Sequence, residues 1–166
     1  MTDLRTLKLL GGTLEAAEVQ QYIRYQRALL EALKHHPVTD WPGRLAFSHC
    51  EAARATGFDE HQLQRMRATV SQFCGRAWAV KELERRRLDA AATVEAAKTK
   101  GNAAPARQEQ ILERIDKESS RVADFSDFIE RYGQQTFDVL EANEEALVTL
   151  HQALAHSEGK GHLHFA

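Results

Sequence analysis

Apolar residues recur along most of this 166-residue chain at intervals of three and four, which places them on one face of an α-helix. The first stripe is Val19, Tyr22, Ile23, Leu29, Leu30 and Leu33. Thr13 offers a cap ahead of it, and Glu15 and Glu18 suit the electropositive start. Lys34, His35 and His36 suit the end, and Pro37 stops the helix. Val38 to Gly43 then reads as a turn, with Trp41-Pro42-Gly43 as its punctuation. A short helix is predicted from Arg44 to Thr56, closed by Gly57.

Asp59 and Gln62 form a capping box ahead of the second long stripe. That stripe runs Leu63, Met66, Val70, Phe73, Ala77 and Val80, then resumes at Ala91 and Val94. Glu84 and Arg87 occupy the seam phase between them, flanked by Leu83 and Leu88, so a shift of register is predicted there. No breaker occurs before Gly101-Asn102, which predicts one helix of about 40 residues and about 60 Å. Pro105 opens a third helix carrying Ile111, Ile115, Val122, Phe125, Ile129 and Tyr132. Gly133 is its expected stop, with a break at Asp124 to Asp127 as the alternative. A fourth helix carries Phe137, Leu140, Leu147, Leu150 and Leu154 to about Ser157.

Composition supports this pattern. The chain holds 25 Ala and 18 Leu against 12 Val and Ile together, and only three Pro. Sheets want the branched residues that are scarce here. The expected fold is all-α: an antiparallel bundle of about four long helices plus one short helix. The second and third helices extend as a coiled-coil-like hairpin, its tip at Thr99 to Ala104 and its distal seam mainly Ala and Val. Residues 1–12 form an N-terminal extension, 13–157 the bundle domain, and 158–166 a flexible tail. No apolar run approaches the roughly 20 residues of a membrane span. A cytoplasmic location is the default, though a removed signal peptide would leave the same start.

Charge changes the picture only locally. The 22 basic and 24 acidic residues nearly cancel, which argues against a wholesale polyanion binder. Residues 1–100 carry 16 basic and 12 acidic side chains, and residues 101–166 carry 6 and 12. The sharpest cluster is Arg85-Arg86-Arg87, which fans around the helix where the seam is interrupted. Glu113, Asp116 and Glu118 fall at about the same height on an antiparallel third helix, so cross-hairpin ion pairs are expected.

Reactive constellations are sparse. Di-metal bundles need Glu-x-x-His pairs, and no Glu here is followed three positions later by His. Cys50 and Cys74 are too few for a disulfide scaffold, and His49 and Cys50 point about 100° apart on a helix. His151 reads as a core-boundary residue. His156, His162 and His164 could hold Zn or Ni, but a Gly-flanked tail supplies no fixed geometry. Gln26, Thr69, Gln72 and Asn143 are polar residues at or near seam positions. Residues 51–67 resemble a DNA-binding helix-turn-helix through Ala53, Gly57, Phe58, Leu63, Arg65 and Met66. Asp59-Glu60 opens the would-be recognition helix with charge that repels phosphate. A plain helical corner, with Gly57 turning the chain and Phe58 plugging the core, explains the same spacing.

The expected role is therefore a non-enzymatic helical module for protein–protein interaction or scaffolding, in which a second copy could serve as partner. The residues expected to meet the partner are Leu83, Arg85, Arg86, Arg87 and Leu88. No cofactor is expected. Nucleic-acid binding through residues 51–67 or Arg85 to Arg87 is the first alternative, and metal binding by the C-terminal histidines the second.

Overall fold

The computed structural model describes residues 13–35, 41–99 and 106–157. Of these, 91% are helical and none lies in a strand. The helices are α1 (Ala16–His35), α2 (Trp41–Thr56), α3 (Glu60–Thr99), α4 (Ala106–Val122), α5 (Ser126–Tyr132), α6 (Gln134–Glu141) and α7 (Glu144–Ser157). The expected extension 1–12, the tail 158–166, the stop at Pro37 and the loop at 100–105 lie outside the described residues.

Several expected boundaries move, each for a local reason. Helix α1 starts at Ala16 rather than Thr13, because Leu14 is drawn into the core with 0% exposure. Leu14 N–H donates to Thr136 Oγ1 at 3.1 Å, while Glu15 N–H donates back to the Glu18 carboxylate at 3.0 Å. Leu14 and Val19, both fully buried, sit where a hydrophobic staple sets the entry angle of a helix. Helix α2 begins at Trp41, taking in the expected turn; Pro42 falls in the first turn, where its missing N–H costs nothing. Gly57 (φ 75°) ends α2, and the Gly57 and Phe58 N–H groups both donate to Ala53 O.

The third stripe divides at both candidate breaks. Helix α4 stops at Val122, and the Asp124 carboxylate accepts from Ser126 N–H at 2.9 Å and from the Ser126 hydroxyl. These bonds hold the Asp124 carboxyl below its usual range. Gly133 (φ 87°) ends α5. The fourth stripe divides mildly at Ala142-Asn143. Asn143 Nδ2 bonds Val139 O at 2.8 Å, and Asn143 N–H reaches back three residues to Leu140 O. The last turn of α6 tightens there before α7 resumes.

Helix α3 is the one long element predicted without correction: 40 residues, opened by reciprocal bonds between Asp59 and Gln62. Gly75 and Arg87 both lie inside it.

The chain divides into two compact units, residues 1–74 with 128–166 and residues 75–127. In unit 1, α1 packs most extensively against α2 and next against α7. Val19, Tyr22, Ile23, Tyr25, Leu29 and Leu33 are buried along α1. The first half of α3 contributes Met66, Val70, Phe73 and Cys74, all nearly fully buried. The Phe73 ring lies 6.0 Å from Phe128 and 6.1 Å from Phe137, joining α3 to α5 and α6. Gln20 Nε2 donates to Asn143 Oδ1 at 2.7 Å, tying α1 to the start of α7.

Unit 2 is built differently. On the second half of α3, Ala77, Leu83 and Val94 are buried and Val80, Ala90 and Ala97 half-buried. From Val80 onward these positions repeat every seven residues, with Arg87 completing the series. The expected shift of register occurs at Leu83, which is buried while Glu84 is exposed, and the stripe then continues at Ala90 rather than at the expected Ala91. On α4 the half-buried positions are Gln108, Leu112, Ile115, Ser119 and Val122, again in sevens, while Ile111 is 40% exposed. Arg87 Nε donates to Asp116 Oδ1 at 2.6 Å, and Arg76 Nη1 donates to Asp124 O at 2.8 Å. The Arg76 guanidinium lies 5.4 Å from the centre of the Phe125 ring.

Candidate functional site

The Arg85–Arg87 cluster sits on the second half of α3, and the structure gives each arginine a carboxylate. Arg85 grips Glu82 through Nε and Nη2 at 3.1 and 2.6 Å and reaches Asp89 at 3.0 Å. Arg86 shares the same Glu82 at 3.2 Å. The paired guanidinium groups hold the Glu82 carboxyl below its usual range. Arg87 alone crosses to α4, where it meets Asp116, one of the three acids expected there. The three arginine side chains are more than half exposed, so solvent screens these pairs and each adds little to stability. Leu83 is 7% exposed and is committed to the seam, whereas Leu88 is 61% exposed beside the arginines. Leu88 is thus an exposed apolar side chain set among the exposed Arg85, Arg86 and Asp89.

The described residues hold no group of three His, Cys, Asp or Glu side chains able to take a metal. His156 lies in the last turn of α7, with Nδ1 bonded to Gln152 O at 2.7 Å. His162 and His164 lie outside the described residues.

The corner at residues 51–67 folds as the apolar spacing requires. Phe58 packs edge-on against the Tyr22 and Tyr25 rings at 6.3 and 5.8 Å. Arg65, the basic residue of the helix-turn-helix resemblance, is bonded to Glu18 of α1. That pairing draws off the cation that a phosphate contact would need.

Sequence reasoning missed an aromatic cluster behind this corner. Tyr22 stacks on Tyr25 at 5.7 Å, Tyr25 stacks on His49 at 6.1 Å, and the Tyr25 hydroxyl is hydrogen-bonded to His49 Nδ1. Burial pushes the Tyr25 phenol up to about 12 and raises Tyr22 further still, partly countered in both by Arg67. Cys74, also buried, is pushed up to about 12, while Cys50 is exposed. A nucleophilic thiol needs the opposite shift, so Cys74 is an inert core residue. Only the helical phase of Tyr22 and Tyr25 hinted at this cluster; its partner His49 lies 24 positions from Tyr25.

Of the four polar seam candidates, Gln26 and Thr69 are buried at 2% exposure, Asn143 is half-buried, and Gln72 is exposed. A cleft of about 560 Å³ lies beside α7, lined by Arg27, Asn143, Glu145, Thr149, Leu150 and two alanines. It contains no nucleophile set against a base.

Comparison with family models, with curated proteins and with solved structures finds no match for this chain. Its functional reading rests on its own residues. No helix among the described residues is long and apolar enough to cross a membrane.

Proposed function

We propose that this chain is a helical protein–protein interaction module. Unit 2 is its presenting surface, an antiparallel coiled-coil hairpin of the second half of α3 with α4. The observation that carries this reading is the pair of seven-residue stripes, joined at Arg87–Asp116 and Arg76–Asp124. Higher-numbered positions of α3 meet lower-numbered positions of α4, as antiparallel pairing requires. A two-helix hairpin buries one narrow stripe and leaves most of each helix available to a partner. The same module could engage a second copy of itself.

The contact surface centres on Leu88, Arg85 and Arg86, with Leu83 and Arg87 fixing the seam beneath it. Affinity-purified chain and its Leu88→Glu and Arg86→Glu variants are compared by pull-down, and their masses by size-exclusion chromatography with light scattering. The wild type is expected to retain a protein partner or a second copy that both variants lose by tenfold or more. A strictly monomeric chain whose variants keep every partner of the wild type sinks the reading.

A further inference from the structure

We propose that two copies of this chain pair through the outer face of α3, antiparallel, about a two-fold axis at Leu88. The inference rests on the reading of unit 2 as a presenting surface, and it commits that surface to one partner, a second copy.

Helix α3 buries two different faces along its length. Met66, Val70, Phe73 and Ala77 recur at threes and fours and are 1–3% exposed. The same face, continued in that spacing, runs through Lys81, Glu84, Leu88, Ala92, Glu95 and Thr99, and every one of these is exposed. The seam toward α4 instead takes Leu83, Ala90 and Val94, which lie about 120–160° round the helix from Leu88. Helix α4 therefore leaves the first face open. Leu88, 61% exposed, is the large apolar side chain on it, and Ala91, Ala92 and Ala96 nearby let another helix approach closely.

Length and charge say what fits this face. Ala77, its last buried position, stands eleven residues before Leu88, and Thr99, the last residue of α3, stands eleven after it. A second α3 laid antiparallel and centred on Leu88 spans the open stretch and no more. That arrangement sets Lys81 of each copy, seven residues before the centre, level with Glu95 of the other, seven after it. An ammonium has three N–H donors, so Lys81 can serve this carboxylate as well as a group in its own chain. The Arg85 stem comes over the small Ala91 and Ala92 of the second copy, and the two Leu88 side chains meet on the axis. A parallel pair would set Lys81 against Lys81, Arg85 against Arg85 and Glu95 against Glu95, so charge selects the antiparallel one. From Lys81 to Thr99 the helix holds five basic and four acidic residues, so two such helices carry little net repulsion. One exposed leucine per copy, framed by alanines, makes a small interface, and the pairing is weak and reversible.

Sedimentation of the full-length chain over a concentration series tests the pairing. The wild type is expected to pass from monomer to dimer as concentration rises. Lys81→Glu and Glu95→Lys should each weaken the dimer by about tenfold, and the double variant, which exchanges the charges, should recover most of the loss. Both positions are exposed, so neither change touches the core. Cross-linking reads the axis directly, in chain carrying Cys50→Ser with buried Cys74 retained. Leu88→Cys should form an intermolecular disulfide about tenfold faster than Ala92→Cys, because position 88 meets itself while the two copies of position 92 stand about 12 Å apart along the helices. A chain monomeric up to about 1 mM overturns the pairing. So does a dimer indifferent to the single charge reversals, a double variant that fails to recover, or equal cross-linking at 88 and 92. A monomeric chain that captures another protein and loses it in Leu88→Glu overturns the pairing and leaves the proposed function standing.

Discussion

Units 1 and 2 each hold one half of α3, and they hold it by different means. In unit 1 the helix faces Phe128 and Phe137 through Phe73, and its Met66, Val70, Phe73 and Cys74 are almost wholly removed from water. In unit 2 the same helix keeps Ala77, Leu83 and Val94 buried, and between Leu83 and Val94 most positions are exposed. A wide aromatic face fixes one arrangement by shape. A narrow stripe of small residues interrupted by Arg87 is fixed by few contacts. Unit 1 is thus expected to be the more stable part of the molecule, and unit 2 the part that opens at lower free energy.

The strongest test of this contrast is alkaline titration. Tyr22, Tyr25 and Cys74 all lie in unit 1, and burial raises all three. A raised acid contributes stability that is complete below its unfolded pKa and is lost as pH rises toward the folded one. The loss should begin near pH 9 with Cys74, deepen above pH 10 with the tyrosines, and run to about pH 12. At about 1.4 kcal/mol per pH unit for each group, the loss reached by pH 11 is on the order of 5 kcal/mol. Urea midpoints between pH 8 and pH 11 measure it. A flat profile would mean that these groups are not buried as described.

Core truncation comes next. Phe73→Ala should cost about 3–5 kcal/mol, whereas Leu83→Ala, in a seam open on both sides, should cost about 2 kcal/mol or less. Chemical denaturation gives both values, and equal losses would erase the difference between the units. Amide hydrogen exchange should show α3 amides beyond Arg85 opening at lower free energy than those around Val70.

Glycine offers the smallest effect and a change of sign. Gly133 has φ 87°, so Gly133→Ala should destabilise by about 1 kcal/mol. Gly75 lies within α3 with nothing within 4 Å of an added Cβ, so Gly75→Ala should stabilise by about 0.5–1 kcal/mol. Thermal melts distinguish the two. A destabilised Gly75→Ala would show that flexibility at that point of α3 is required.

What could be read in the sequence was what depends on neighbours a few residues apart. Asp59 and Gln62 announced the start of α3, and the absence of a breaker announced its length. Asp124 and Ser126 were visible as one of two competing breaks, but Phe125 keeps the hydrophobic phase running across them, so periodicity could not reveal that both breaks occur. Asn143 has no helix-breaking backbone; its effect comes from its side chain turning on Val139 O. The seam register on α3 was misjudged because Ala90 and Ala91 are the same residue, and only the facing helix decides which is covered. Contacts such as Leu14 with Thr136, 122 positions apart, leave no trace in local spacing.

That last bond bears on how the chain assembles as it is synthesised. Unit 1 is discontinuous: its closing segment begins at Phe128, after all of unit 2 has been made. Leu14 must wait for Thr136 to emerge before its backbone amide is satisfied, while the contacts of unit 2 join residues at most 48 positions apart. Loops of that length close sooner than one of more than a hundred residues. The least anchored part of the protein is therefore expected to form first on the ribosome. The most tightly packed part stays an incomplete, apolar intermediate until the segment that begins at Phe128 arrives.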